Sequence, residues 1–233
     1  AFLMSLAVHL PAQAWDLWDE FKAVNVTPEG RVVDYSDAKL ITTSEGQSYG
    51  MFFALVANDR ESFDKIFAWS EKNLGPDQPA WWWGIPDGKK DGQGKILDTN
   101  NATDSDMWIA YCLLEASRIW NEPAYETKAK AYMAKLKELV RDVPTVGKVI
   151  LPARVGFEEK GVVTINPSYY PPFILRRFAE YDPSWLPILE GLINAMIRCS
   201  PGGAAPDWAK FDSTGKLVEP EKMVGSYNAI RTY

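Results

Sequence analysis

One pattern constrains this chain more than any other: a helical segment apolar on nearly every side, followed by one apolar on a single face, and then the same pair again. Residues 47 to 58, "QSYGMFFALVAN", must be buried all round if helical. Residues 61 to 74, "ESFDKIFAWSEKNL", place Phe63, Ile66, Phe67 and Leu74 on one face, as a surface helix does. Residues 106 to 120, "DMWIAYCLLEASRIW", are again apolar nearly all round. In 124 to 140, Tyr125, Ala129, Tyr132, Met133, Leu136 and Val140 form one stripe with lysines opposite. A looser third pair lies near 171 to 180 and 184 to 198. Two concentric rings of helices need this alternation, because inner helices touch neighbours on all sides and outer ones face water on one. The expected fold is therefore all-α, an α/α toroid, ahead of an α-solenoid. No tetratricopeptide or ankyrin repeat motif is present.

The segments between the pairs are long, which in a compact domain points to function. Residues 75 to 103 carry "PAWWWGIPDG". Residues 144 to 170 read as hairpins with a turn near Gly161, and 200 to 225 as another around Ser213-Thr214-Gly215. Trp81, Trp82 and Trp83 cannot all face inward from a loop, so at least one is expected to stack on a ligand ring. Tyr169 and Trp208 sit in comparable surroundings.

Residues 1 to 10 are nearly all apolar, and Ala12-Gln13-Ala14 fits a small-residue cleavage site. Residues 1–14 thus read as the tail of a secretory signal peptide, ahead of a catalytic domain over 15–233, with export to the periplasm or the medium. The run is too short to span a bilayer. A net charge of −6 without basic runs argues against nucleic acid and anionic membranes. The only histidine, His9, lies in the expected leader. That removes Ser-His-Asp and Cys-His nucleophile systems and histidine-based zinc. Two cysteines, Cys112 and Cys199, are too few for a cysteine metal site and leave a disulfide open. Neither a metal nor a cofactor is expected. Carboxylates, Tyr, Lys and Arg remain for chemistry.

Glu45, in "ITTSEGQSYG", and Asp104 and Asp106, in "NATDSD", open two of the inner helices. Capping is one explanation, since acids are favoured at helix N-termini, with Thr103 or Asp104 as the cap of the second. Catalysis is the other. In a toroid the chain returns on the outside, so inner helices run parallel and their N-termini share one mouth. Carboxylates around that mouth, beneath aromatic loops, make a glycosidase-like arrangement.

"TTSEGQSYGM" and "ATDSDMWIAYCLLEASRIW" resemble the two signature regions of glycoside hydrolase family 8. "GRVVDYSDAK", "LPARVGF", "INPSYYPP", "APDW" and "SYNAIRTY" follow in the order of the branch encoded beside bacterial cellulose synthase. The resemblance covers residues 15 to 233, with mild departures at Ser105 and Cys112. It implies an (α/α)6 barrel with small β-hairpins, hydrolysing β-1,4 glycans with inversion. It implies Glu45 as general acid and Asp104 as the residue that binds and distorts the sugar at the cleavage point. Tyr227 and Arg231 match family site positions; Asp106, Trp82, Trp83, Tyr169 and Trp208 are further candidates for substrate contact. The implied partners are a β-1,4-glucan chain and the cellulose synthase machinery. Six hairpins need twelve helices and the pattern supplies about seven, so the sequence is expected to be truncated at its C-terminal side. The branch usually carries Asp as general base where this chain has Asn228, and an amide cannot take a proton from water. The base then falls to Asp106, to Asp207 or to a residue beyond this sequence, or the enzyme is impaired. A glycan-binding protein without turnover, or the same fold acting on chitosan or xylan, are the alternatives.

Overall fold

The computed structural model describes residues 15–89 and 92–232; the expected leader over 1–14, with His9, lies outside them. Seven α-helices are present among these residues: α1 (Asp16–Asn25), α2 (Ser44–Val56), α3 (Arg60–Asn73), α4 (Thr103–Trp120), α5 (Pro123–Glu138), α6 (Pro172–Tyr181) and α7 (Leu186–Cys199). Helix α1 is an element that the periodicity argument passed over. It buries Trp18, whose indole N–H donates to Asp59 Oδ2 at 3.1 Å. Asp59 is also the N-cap of α3, accepting from the Ser62 amide, so one carboxylate joins the two helices.

Helices α2, α4 and α6 form one row, α2 against α4 and α4 against α6, and each packs on the helix that follows it, α3, α5 or α7. This is the inner-and-outer arrangement of an α/α toroid. Two pairs reverse direction by the same device. Asn58 follows α2 at φ 54°, and Asn121 ends α4 at φ 51°, left-handed positions that asparagine tolerates. The Trp120 indole donates to Asn58 Oδ1 at 2.8 Å and links the two turns.

Helix α2 contains one buried polar side chain that its apolar surroundings must satisfy. Gln47 is fully buried. Its Oε1 accepts from the Val32 amide at 2.5 Å, and its Nε2 lies 2.9 Å from Ser70 Oγ and 3.1 Å from Ile66 O. The amide thereby pins the 30–32 loop and α3 onto α2. Gly50, one turn on, leaves room for Val32: a Cβ there would stand 2.8 Å from Val32 Cγ2. Burial of the inner helices is not complete on every side, as the sequence pattern had suggested. Among the described residues Phe52, Phe53 and Trp108 are half-buried and Val56 is 56% exposed. Phe53, Phe52, Trp108 and Phe173 follow one another along this side with ring centroids 5.0–6.1 Å apart.

The segment 75–103, read as loop, contains β2 (Trp82–Gly84) and β3 (Lys95–Asp98), which pair with β1 (Thr42–Thr43) in a small antiparallel sheet. β4 (Val140–Val143) and β5 (Gly147–Ile150) form a hairpin under α7. Gly191 permits that contact, since a Cβ on it would come 2.1 Å from Lys148 O. β6 (Glu158–Glu159), β7 (Val162–Ile165), β8 (Ala209–Phe211) and β9 (Leu217–Val218) make a four-stranded antiparallel sheet. Its hairpin turns fall at Lys160-Gly161 and at Ser213-Thr214-Gly215, as the turn residues predict. Cys112 and Cys199 are both buried and free, so they form no disulfide.

Candidate active site

The carboxylate of Glu45 is not the cap of α2. Thr43 is the N-cap, its Oγ1 accepting from the Gly46 amide at 3.0 Å. Glu45 is left in the first turn with its side chain 41% exposed. At the start of α4 the N-cap is Ala102, which has no side chain to offer, and the Thr103 hydroxyl donates to Leu151 O at 2.6 Å. Asp104 accepts from the Ser105 amide of its own turn through Oδ1, at 2.8 Å. Tyr169 stands just before α6, in a short 3₁₀ turn capped by Asn166. Three inner helices thus bring a side chain to the same mouth by their N-terminal ends.

Arg231 joins them from the far end of the chain. Its Nη1 bonds Glu45 Oε1 and lies 3.4 Å from both Asp104 Oδ2 and the Tyr49 hydroxyl. Its Nη2 donates to Asn228 Oδ1 at 2.7 Å, and the guanidinium sits 5.5 Å from the centroid of the Tyr169 ring. The turn carrying Asn228 and Arg231 is held by Asp207. Its Oδ1 accepts from the Ser226 amide at 2.9 Å and the Ala229 amide at 2.7 Å, and its Oδ2 from the Ser226 hydroxyl. Asp207→Ala is therefore expected to free this turn: the Ser226 and Ala229 amides should exchange hydrogen roughly 5–10-fold faster, the scale of a lost cap. Unchanged exchange at both amides would show that the turn is held otherwise.

The site is electrostatically tense at Asp104. The residue is 4% exposed, and its carboxyl is pushed up to about 7, by burial first and by the charge of Glu45 second, with Arg231 opposing. The unfolded chain binds that proton only below about 4. The native state therefore holds more protons between about pH 4 and 7, and stability falls as pH rises through that window. Its size is on the order of 4 kcal/mol at most. Asp104→Asn removes the cost, so the variant is expected to melt above the unsubstituted protein at pH 8 and to lose that advantage at pH 4. Equal differences at both pH values would contradict this account. Tyr49 is likewise pushed up, to about 12, by burial and then by Glu45.

Asp106 has a different place from the one its sequence position suggested. It is 1% exposed and its Oδ2 accepts from Asn101 Nδ2 at 2.7 Å, while Asn101 Oδ1 takes the Arg154 amide at 2.8 Å. It braces the loop wall from inside, and burial holds its pKa well above the usual carboxylate range. The wall closes a cavity of about 370 Å³ between Trp81, Asn100, Phe157 and Tyr169. Trp81 is the indole that faces this cavity. Trp82 stacks on its far side, 5.2 Å away at 22°. Trp83 is held between Arg31, 4.2 Å from its centroid, and Trp69, at 5.4 Å. Gly94 makes room for it, since a Cβ there would stand 1.8 Å from the ring. Trp208 stacks on Phe157 at 5.5 Å and 17°, and meets the Tyr169 ring edge at 6.1 Å. Tyr227 is 94% exposed.

Of the residues singled out in the sequence, the structure brings together Glu45, Asp104, Asn228, Tyr169 and Arg231. It seats Asp106 beneath them, stacks Trp82 on Trp81, holds Trp83 between Arg31 and Trp69, and leaves Tyr227 to solvent. Tyr49 and Phe157 were missed as cleft residues, and Trp81 was named only as one of three equivalent indoles. Tyr49 had a signal: it stands four residues after Glu45, on the same helix face. Among the described residues no group of three His, Cys, Asp or Glu side chains could hold a metal ion, and no helix is long and apolar enough to cross a membrane.

The family model for glycosyl hydrolases family 8 matches residues 1–233. An endoglucanase of Escherichia coli O157:H7 is 41% identical over 230 residues, covering 95% of this chain and 62% of that protein. One of Xanthomonas axonopodis pv. citri is 42% identical, covering all of this chain and 63% of its own length. Among solved structures, an endo-1,4-D-glucanase of Vibrio fischeri superposes with a TM-score of 0.84 at 42% identity, over 93% of this chain and 64% of that one. An endo-β-1,4-glucanase of Acetobacter xylinum gives 0.81 at 32%, over 93% and 69%. The chain thus spans somewhat under two thirds of the length of the curated relatives it matches.

Proposed function

Because this chain belongs to glycosyl hydrolase family 8, we propose that its cleft hydrolyses β-1,4-linked glucan chains internally, with inversion at the anomeric carbon. One observation carries the reading: carboxyls from two different inner helices, Glu45 and Asp104, meet around a single guanidinium beside an aromatic cavity. Glu45, the more exposed of the two, is the general acid. To give a proton to the glycosidic oxygen it must release Arg231, and Asp104 and Asn228 are the partners that can keep the guanidinium in place. Asp104 binds the sugar at the cleavage point, and Trp81 and Tyr169 offer ring faces to neighbouring sugars. Asn228 orients the attacking water through Oδ1 but takes no proton from it.

Neither substitute base in this chain fits that role. Asp106 is sealed behind Asn101, and the carboxylate of Asp207 is committed to the 226–229 turn. Asn228 therefore also favours a second reading, a glycan-binding protein with little turnover. Reducing-end release from a soluble β-1,4-glucan by the complete protein separates the two, and proton NMR of the first product gives its anomeric form. New reducing ends that start as the α anomer are expected; glucan binding without new ends would favour the second reading. The apolar run ahead of Ala12-Gln13-Ala14 supports export. The motif order of the branch encoded beside cellulose synthase supports work alongside that machinery.

A further inference from the structure

The cleft does not end at its aromatic wall. Gly156 and Phe157 line the 370 Å³ cavity on one side and a groove of about 590 Å³ on the other. The groove runs across the open face of the four-stranded sheet. Its floor is the cross-strand row Thr164, Lys210 and Val218, with Val162 beside it. Trp208, 39% exposed, stands at its edge, parallel to Phe157. A third cavity, of about 270 Å³, shares Trp208, Lys210 and Val218 and continues past them toward Met223 and Val224. The three cavities are thus joined in series, first through Gly156 and Phe157 and then through Trp208, Lys210 and Val218.

We propose that this sheet face is a docking track for the part of a neutral β-glucan chain that lies outside the cleft, with the exposed face of Trp208 as its stacking platform. The inference rests on the reading of the cleft as a glucan site. Continuity supplies the occupant: Phe157 lies between the first cavity and the groove, so a polymer seated in the cavity and leaving over this ring enters the groove. Charge selects its type. Lys160 and Lys210 balance Glu159 and Glu219 along the groove, so it offers no net attraction to a polycation such as chitosan or to a polyanion. A flat indole beside an aliphatic floor suits the apolar C–H faces of sugar rings, and the polar rim suits hydroxyls at their edges. Nothing in the track is placed to do chemistry. Its effect is on chain length: long glucans gain contacts that short oligosaccharides cannot reach.

The test uses the complete protein with Trp208→Ala, Trp208→Phe and Val218→Lys. The last plants a charge on the floor without touching the Phe157–Trp208 pair. Mobility in native gels containing hydroxyethyl cellulose reports polymer binding, and turnover of cellotetraose reports the cleft. The Ala and Lys variants should bind the polymer roughly tenfold more weakly, the Lys variant should cleave cellotetraose within about twofold of the unsubstituted protein, and Phe should retain most of the polymer binding. Equal loss on polymer and tetraose in the Lys variant would make the sheet face part of the cleft and overturn the proposal, as would unchanged polymer binding in the Ala and Lys variants. An unsubstituted protein that cleaves no β-1,4-glucan would defeat the proposed hydrolysis alone; the gel measurement would still decide the track.

Discussion

Glu45→Gln is expected to lower hydrolysis of a β-1,4-glucan by the complete protein roughly 10²–10⁴-fold, the usual worth of a general acid. The amide keeps the shape of the side chain. Its Oε1 can still accept from Arg231, so the contact that gathers Asp104, Tyr49 and Asn228 persists. What disappears is the proton for the leaving oxygen. Thr43, not Glu45, caps α2, so the substitution costs the helix little. Binding of the polymer and the melting temperature should therefore stay close to those of the unsubstituted protein, and kcat should carry the loss. If the variant keeps more than a tenth of the activity, or loses activity only together with its fold, Glu45 is not the acid.

Asn228→Asp is expected to act in the opposite direction, raising kcat by a factor on the order of 10². Inversion needs a base across the sugar from the acid, with a water between. Asn228 is tied to Glu45 through Arg231, so a carboxylate here would stand beside the site with its orientation already fixed by the guanidinium. The other carboxylates that the chain offers are engaged elsewhere: Asp106 by Asn101, Asp207 by Ser226 and Ala229. The added negative charge would also fall near Asp104 and Glu45, so the optimum pH should move upward. A rate already high in the unsubstituted protein, and unchanged in the variant, would assign the base to a residue outside those described.

How much of the site was legible follows from the range over which each signal acts. Glu45 and Asp104 drew notice as carboxylates at the starts of strongly apolar helices, where capping explained them as well as chemistry did, and the resemblance to the family singled them out. Their meeting was legible only by assuming a toroid, whose inner helices run parallel. Asp106 read as a third member of the mouth, since it lies two residues from Asp104. Two residues along a helix turn the side chain by more than half a circle, and this one points under the wall instead. The three indoles of "WWW" read alike. The pairing of β1, β2 and β3, with Gly94 making room for the Trp83 ring, turned Trp83 onto Arg31 and Trp69, stacked Trp82 on Trp81 and left Trp81 facing the cavity.

The sequence by itself determined the elements that depend on neighbours a few residues away. These are the alternation of inner and outer helices, the turns at Lys160-Gly161 and Ser213-Thr214-Gly215, and the lack of any histidine beyond residue 9. Helical periodicity and turn chemistry are short-range, and a single chain displays them without help. Only the tertiary structure decided what hangs on contacts between residues far apart. It set Arg231 between Glu45 and Asp104, joined by contacts that skip 186 and 127 residues. It paired β7 with β8 across two separate loops. It buried Asp104, which raises that carboxyl's pKa, and left the Glu45 side chain 41% exposed. Burial is a property of the assembled surroundings: two carboxylates with similar local sequence come to differ in it only when packing gives one of them water and denies it to the other.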